Sequence, residues 1–397
     1  MTNYDWLARS ALSKDAQVLI DDRLRLYVSV FLASLGLGLY IYFVPIFAQQ
    51  FGATFLDLGY IGTATALTYA VAPIFVGQLA DRVNRSRLYA AAILINFVAT
   101  FALTFSRSVT DIVIVRSLGG LGLAFFWPVT EILVLQLTPR KRRVREMGLY
   151  SVSWGSAFLI GPLLGGLVIQ SLGFLDLFVI SSALMLAALL AGGIMTFPHH
   201  DKEEERRSHF AAQSKVMRRL FPWYVLVACY GVEFSIVTSI FPGYANSVGI
   251  SAVLVGVLFT AFGIARVVGY ATSEHYFHYG EKKALMLASL LIGVGSTIIV
   301  LLPGFNAFLV VLAMLGGCFA IIYPLSIGLI SRHFPDAQAG VAVGSYESVY
   351  GIGSAIGPLM AGGLAAFSDA RLSFISVSLF AILMTVTSAT AKTYSKG

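Results

Sequence analysis

Charge is scarce in this chain, and cysteine scarcer. Asp, Glu, Lys and Arg make up 12% of its 397 residues, against about 25% in a soluble globular chain. So few charged groups cannot clothe a water-soluble fold of this length, and the 57% of hydrophobic residues have no place to hide in water. The two cysteines, Cys229 and Cys318, both fall inside apolar runs and provide no disulfide framework or zinc site. No Gly-rich nucleotide loop of the Walker type occurs, so ATP is not read as the energy source. No nucleophile–base set lies within the apolar runs, so the chain is read as no enzyme, and no cofactor is expected. His275 and His278, with Glu274 and Glu281, have ligand-like spacing, but a charged polar loop needs no metal to explain it, and none is expected. The first 24 residues are mixed and charged through Asp21-Asp22-Arg23 and lack the apolar core of a cleavable signal.

What fills the chain instead is apolar length. Twelve runs cover roughly 25–47, 55–80, 88–106, 111–137, 144–170, 174–197, 221–245, 251–273, 284–302, 306–331, 339–366 and 372–391. About 20 apolar residues cross the hydrocarbon of a bilayer, so each run predicts one transmembrane helix, spans 1 to 12. The expected fold is therefore an all-α integral membrane protein. One pattern also occurs twice. Trp127-Pro128, Pro139, Gly148, Tyr150 and Gly161-Pro162 reappear 196 residues later as Tyr323-Pro324, Pro335, Gly344, Tyr346 and Gly357-Pro358. The one long polar break lies between spans 6 and 7. The chain thus divides into a cytoplasmic segment 1–24, a six-helix bundle 25–197, a cytoplasmic linker 198–220, a second six-helix bundle 221–391 and a tail 392–397. Two parallel copies of a helical membrane unit are the plan of many secondary transporters.

The net charge of +7 is a topology signal and not a nucleic-acid patch. With residue 1 in the cytoplasm, the inner segments hold 23 of the 27 Lys and Arg, the outer loops hold Arg107 and Arg371, and Arg116 and Arg266 lie within spans. Positive charge stays inside, which predicts a multi-pass protein of the cell membrane with both termini cytoplasmic. The bilayer is its expected partner, and nucleic acid is excluded.

The loop after span 2, Gly77 to Tyr89, resembles the signature loop of the major facilitator superfamily, Gly-x-Leu-Ala-Asp-Arg-x-Gly-Arg-Lys-x-x-Leu. Gly77, Leu79, Ala80, Asp81, Arg82 and Arg85 match, while Asn84 stands for Gly, Ser86 for Lys and Tyr89 for Leu. Arg116 to Ala124 in span 4 is similar to the family's Arg-x-x-Gln-Gly-x-Gly-x-Ala, with Gly119 for Gln. Span 5 resembles the family's antiporter motif, matching at Gly148, Gly161, Pro162, Gly165 and Gly166 with Ala157 for one Gly. Span 11 repeats that motif at Gly344, Gly353, Gly357, Pro358 and Gly362, with Ala361 for one Gly. The resemblance implies two pseudo-symmetric six-helix bundles that rock about a central site lined by spans 1, 4, 7 and 10. It implies an inner gate of Gly77, Asp81, Arg82 and Arg85, with Asp81 at the end of span 11 and Glu131 as a partner. It implies interdomain helix kinks at Gly161, Pro162, Gly165, Gly166, Gly357 and Pro358.

Charges inside a membrane are rare and face cavities, partners or proton paths. Glu233 lies 12 residues into span 7, near mid-membrane at about 1.5 Å per residue, and is the foremost proton-coupling candidate. A structural ion pair with Arg266 of span 8 is the competing reading. Arg116 either faces the cavity or snorkels to the outer headgroups. Tyr40, Tyr230, Trp127 and Tyr323 are candidate substrate contacts on the lining spans. Glu347, between Tyr346 and Tyr350, is expected to gate. The function expected from these residues is proton-coupled export of lipophilic small molecules by alternating access, performed by a monomer. An uptake carrier or lipid translocase on the same fold, and a membrane sensor, are the alternatives.

Overall fold

A backbone that crosses hydrocarbon finds no water for its N–H and C=O groups, and a helix satisfies them internally. In the computed structural model, which describes residues 14–71, 84–138, 142–192, 210–272, 280–331, 339–367 and 369–390, every regular element is accordingly helical. The first half comprises α1 (Lys14–Tyr40, resumed after a turn at Val44–Gln49), α2 (Phe55–Val71), α3 (Arg85–Ala102), α4 (Val109–Gln136), α5 (Arg143–Ser171) and α6 (Phe174–Gly192). The second comprises α7 (Phe210–Ser239, resumed at Phe241–Ser247), α8 (Ala252–Ala271), α9 (Glu281–Leu301), α10 (Phe305–Ser331), α11 (Ala339–Phe367) and α12 (Leu372–Thr390). These are spans 1 to 12 in order, and eleven of them are long and apolar enough to cross a bilayer as described. Two starts differ from expectation. Helix α1 begins at Lys14 and α7 at Phe210, so helix reaches back into segments read as a terminal stretch and a linker.

Polar caps set the outer helix ends. Ser108 and Asp111 form a reciprocal capping box at α4, and Thr54 and Asp57 exchange bonds of 2.8 and 3.3 Å before α2. Each satisfies N–H groups that a helix start leaves unpaired. Large apolar side chains such as Leu301, Val310, Leu379 and Phe367 stay exposed, as they must where the surrounding solvent is lipid.

The helices pair by the same scheme in each half. Helix α1 packs on α5 and α6, α2 on α4, and α3 on α4 and α6. Six helices on, α7 packs on α11 and α12, α8 on α10, and α9 on α10 and α12. The duplication extends to single bonds. Thr130 shares a 3.0 Å hydrogen bond with the Tyr150 hydroxyl, and Ser326 makes a 3.4 Å bond with Tyr346. Both hydroxyls lie two residues beyond a helix-internal proline, Pro128 or Pro324.

The halves meet along two seams, α2 with α11 and α5 with α8. Gly59 faces the Pro358 carbonyl, where an added methyl would stand 2.6 Å from the oxygen. Gly256 faces the Pro162 carbonyl in the same way. The expectation of interdomain contact at the Gly-Pro motif therefore needs correcting by residue. Pro162, Gly166, Pro358 and Gly362 meet the opposite half, whereas Gly161 and Gly165 lie on Gly38 and Leu39 of α1, and Gly357 on Val232 and Ser235 of α7. A helix in a bundle has two packed faces, and the spacing of small residues alone does not say which face meets which neighbour.

Candidate substrate and coupling site

At the end where α1 and α7 break, the outer side on the positive-inside reading, the two halves are tied by polar groups. Gln49 donates to the Gly243 carbonyl at 3.0 Å and accepts from Asn246 at 2.9 Å. Both partners sit on the short helix that resumes α7, opposite the one that resumes α1. Those two pieces are copies of each other. Pro45 matches Pro242, Gln49 matches Asn246, and Gly52 matches Gly249 at 197 residues' distance, with φ of +78° and +87° at the glycines. That left-handed backbone is open to glycine without strain. Just below, Tyr42 of α1 stacks on Phe259 of α8 at 4.0 Å between ring centroids. This set, the outer seal, ties the two halves together at that end.

The two intramembrane arginines differ in kind. Arg116 is buried, lies 3.5 Å from the Tyr40 hydroxyl, and covers that ring at 5.9 Å. Tyr40 is itself 1% exposed and packs edge-on against Phe178 of α6. The pair is packed in the interior of the first half. Arg266 is partly exposed and donates through Nε to Tyr270 at 2.9 Å, with its guanidinium 5.0 Å from the Phe234 ring and 5.5 Å from that of Tyr270. Tyr42 of α1, Tyr230 of α7 and Tyr350 of α11 lie within its electrostatic reach. It therefore stands where both halves converge.

The carboxylates also separate into two groups. Glu233 is 0% exposed, and among the described residues neither of its oxygens has a hydrogen-bond partner. Its recorded electrostatic neighbours are the thiols of Cys229 and Cys318, so it points between α7 and α10. It does not meet Arg266, which lies over Phe234 instead, and the ion-pair reading is corrected: adjacent positions on α7 face different ways. Glu131 of α4 and Glu347 of α11 interact across the two halves. The Tyr69 hydroxyl of α2 donates to Glu347 at 3.2 Å, and Tyr69 also feels Glu131, Tyr323 and Tyr350.

Among the other expected contacts, Tyr230 is 1% exposed and packs on Phe319 and Tyr350. Trp127 and Tyr323 are half-buried, the first against Trp154 and Phe158 of α5, the second against Tyr270 and Tyr346. Gly77, Asp81 and Arg82 lie outside the described residues. Arg85 opens α3, and Asn84 caps it by accepting from the Ser86 N–H at 2.9 Å. Asn84 has φ of −58°, so it replaces the family's glycine as a cap and not as a left-handed turn residue. Sequence reasoning overlooked Tyr69, Gln49 and Asn246. The Gln49–Asn246 signal was present as the 197-residue echo of Pro45 and Gly52, one residue out of step with the stronger repeat.

Two duplicated half-bundles meeting at two seams, with titratable groups where they join, define a secondary transporter of the alternating-access type. The chain belongs to the Major Facilitator Superfamily, whose sequence profile matches residues 26–271 and 223–393. The quinolone resistance protein NorA of Staphylococcus aureus is 24% identical over 350 residues, covering 85% of this chain and 88% of NorA. Multidrug resistance protein 1 of Bacillus subtilis is 24% identical over 353 residues, with the same coverage of 85% and 88%. The crystal structure of the nucleoside transporter NupG superposes with a TM-score of 0.79 at 13% identity, over 94% of this chain and 100% of that one. A bacterial homologue of the human lysosomal transporter Spinster, inward-facing and occupied, gives 0.75 at 15% identity, over 97% and 100%.

Proposed function

We propose that this protein is a proton-coupled exporter of lipophilic small molecules, acting as a monomer in the cell membrane with both termini cytoplasmic. The observation that carries the coupling is the full burial of Glu233 with no hydrogen-bond partner among the described residues. A bare carboxylate buried without a cation or donor costs several kcal/mol, so this arrangement accommodates Glu233 as the neutral acid. Turnover then requires a second arrangement in which water or a cation reaches it and the proton leaves. Its position on α7, the helix whose outer piece forms half of the outer seal, links that proton to opening. Glu131 and Glu347 are assigned to the inner gate. Two carboxylates facing each other across the halves repel when both are ionised, and Tyr69 holds one of them. On the family resemblance, Gly77, Asp81, Arg82 and Arg85 complete that gate. Export of drug-like molecules agrees with the names of the two relatives, and the partly exposed aromatic residues Trp127, Phe234 and Tyr323 suit a lipophilic cargo.

The test is transport by purified protein in liposomes preloaded with a neutral fluorescent dye, with a pH gradient imposed across the membrane. Dye should move against its own gradient in exchange for protons, and collapse of the pH gradient with an ionophore should stop it. Movement down the dye gradient alone, indifferent to pH, would show a uniporter. Co-movement of dye and protons in one direction would show an uptake carrier.

A further inference from the structure

We propose that Arg266 is the receptor for an acidic group, so that the molecules moved include aromatic compounds bearing a carboxylate. This deepens the transport reading above and rests on it. A guanidinium inside a membrane is held by a carboxylate, by backbone carbonyls or by a ligand. Among the described residues no carboxylate lies within ion-pair distance of Arg266, the ion pairs there being Arg23–Glu146, Arg25–Asp22 and Arg371–Asp369. Of its five N–H donors, only Nε has a protein acceptor among the described residues, the Tyr270 hydroxyl. The terminal amino groups form the flat fork that fits a carboxylate through two parallel bonds.

The surroundings fix what else such a ligand carries. Phe234 and Tyr270 flank the guanidinium with their rings, and Tyr42, Tyr230 and Tyr350 lie within its electrostatic reach. Aromatic groups next to a charged fork select a flat apolar body with one acidic end. Phosphate esters suit it less, since a single arginine cannot neutralise two charges. Arg116 does not compete for this role, because it is buried against Tyr40 within the first half. The outer seal lies above, with Tyr42 belonging to both the stacked pair and the Arg266 surroundings. A ligand bound at Arg266 thus lies within electrostatic reach of both halves, as a transported molecule must to influence their rocking.

The experiment compares 2-naphthoate with its neutral isostere 2-naphthamide by equilibrium dialysis of labelled probe against the purified full-length protein. Wild type should bind the acid about tenfold more tightly than the amide, the effect of one charge-assisted hydrogen bond. Arg266→Gln should remove that preference by weakening the acid far more than the amide, and Arg266→Lys should keep part of it. A merely structural arginine would weaken both probes equally on conversion to Gln, and that result overturns the proposal. So does equal binding of both probes, or of neither, by wild type. Selective binding of the acid without transport of any dye in liposomes would uphold this site and refute the export reading. Export of a neutral dye without acid preference would do the reverse.

Discussion

The two halves of this protein share a scaffold and differ in chemistry. Pro45 and Pro242 open matching short helices, and nine residues before each stand Gly36 and Glu233. Gly59 and Gly256 sit at matching points of the two seams, and ten residues after each stand Tyr69 and Arg266. In the first half Gly36 lets α1 approach the Ser181 carbonyl of α6, while its counterpart is a carboxylate with no hydrogen-bond partner among the described residues. Tyr69 reaches across to Glu347, while its counterpart is an arginine among aromatic rings. Close backbone contacts occur at both seams. Charge stands at one copy of each position, which on the proposed mechanism would give a symmetric hinge a one-sided proton and ligand response.

That contrast can be broken most severely at Glu233. Glu233→Gln should abolish accumulation driven by a pH gradient, yet leave exchange of labelled for unlabelled substrate at near wild-type rate, both measured in proteoliposomes. Accumulation by the variant against a gradient would place the coupling elsewhere, with Glu131 and Glu347 next in line.

The shared scaffold predicts equal damage in both copies. Gly59→Leu and Gly256→Leu should each impair turnover and lower thermal stability, since each side chain meets a proline carbonyl of the opposite half. Overpacking of this kind costs about 1–3 kcal/mol. Gly155→Leu, placed where an added carbon meets nothing within 4 Å, should be nearly silent. Strong damage at only one seam would mean that the halves do not rock symmetrically.

A smaller effect is expected at the outer seal. Gln49→Leu removes two bonds across the halves, worth about 0.6 kcal/mol each inside a membrane protein. The outer-closed population should fall about sevenfold relative to the outer-open one. A cysteine at Leu58, which is 1% exposed beneath Gly243, should then label faster from outside in a background lacking Cys229 and Cys318. The least effect belongs to Thr130→Val and Ser326→Ala, which each remove one of the duplicated hydroxyl contacts. Both should cost about 0.6 kcal/mol or less, read as small and similar shifts in thermal unfolding.

Much of this arrangement was legible before any coordinates. Run length announced the spans, the 196-residue echo announced the duplication, and the Gly-Pro motifs announced close helix contact. Counting residues along a helix also placed Glu233 near mid-membrane, because rise per residue is fixed. Azimuth is another matter. In a soluble helix the apolar stripe reveals the buried face, but here lipid and protein neighbours are both apolar, and the stripe disappears. Depth alone therefore leaves open whether Glu233 meets the cavity or Arg266, and whether Arg116 faces the cavity or the headgroups, and it does not reveal that Tyr40 and Arg116 pack together. Tyr69 was overlooked for the same reason. A tyrosine in an apolar run announces neither depth nor direction, and only the seam between α2 and α11 brings it to Glu347.

The central claim is that both seams move as one hinge under the control of the Glu233 proton. Distances between paired spin labels test it most directly, with one pair at the outer ends on Gln50 and Ser247 and another toward the inner ends on Gly148 and Val268. All four positions are exposed. In the wild-type background, deprotonation by raised pH should lengthen the outer distance as it shortens the inner one. Glu233→Gln should hold the protein in the outer-closed distribution at every pH. Outer and inner distances that change in the same direction, or a pH response that survives in Glu233→Gln, would contradict the account.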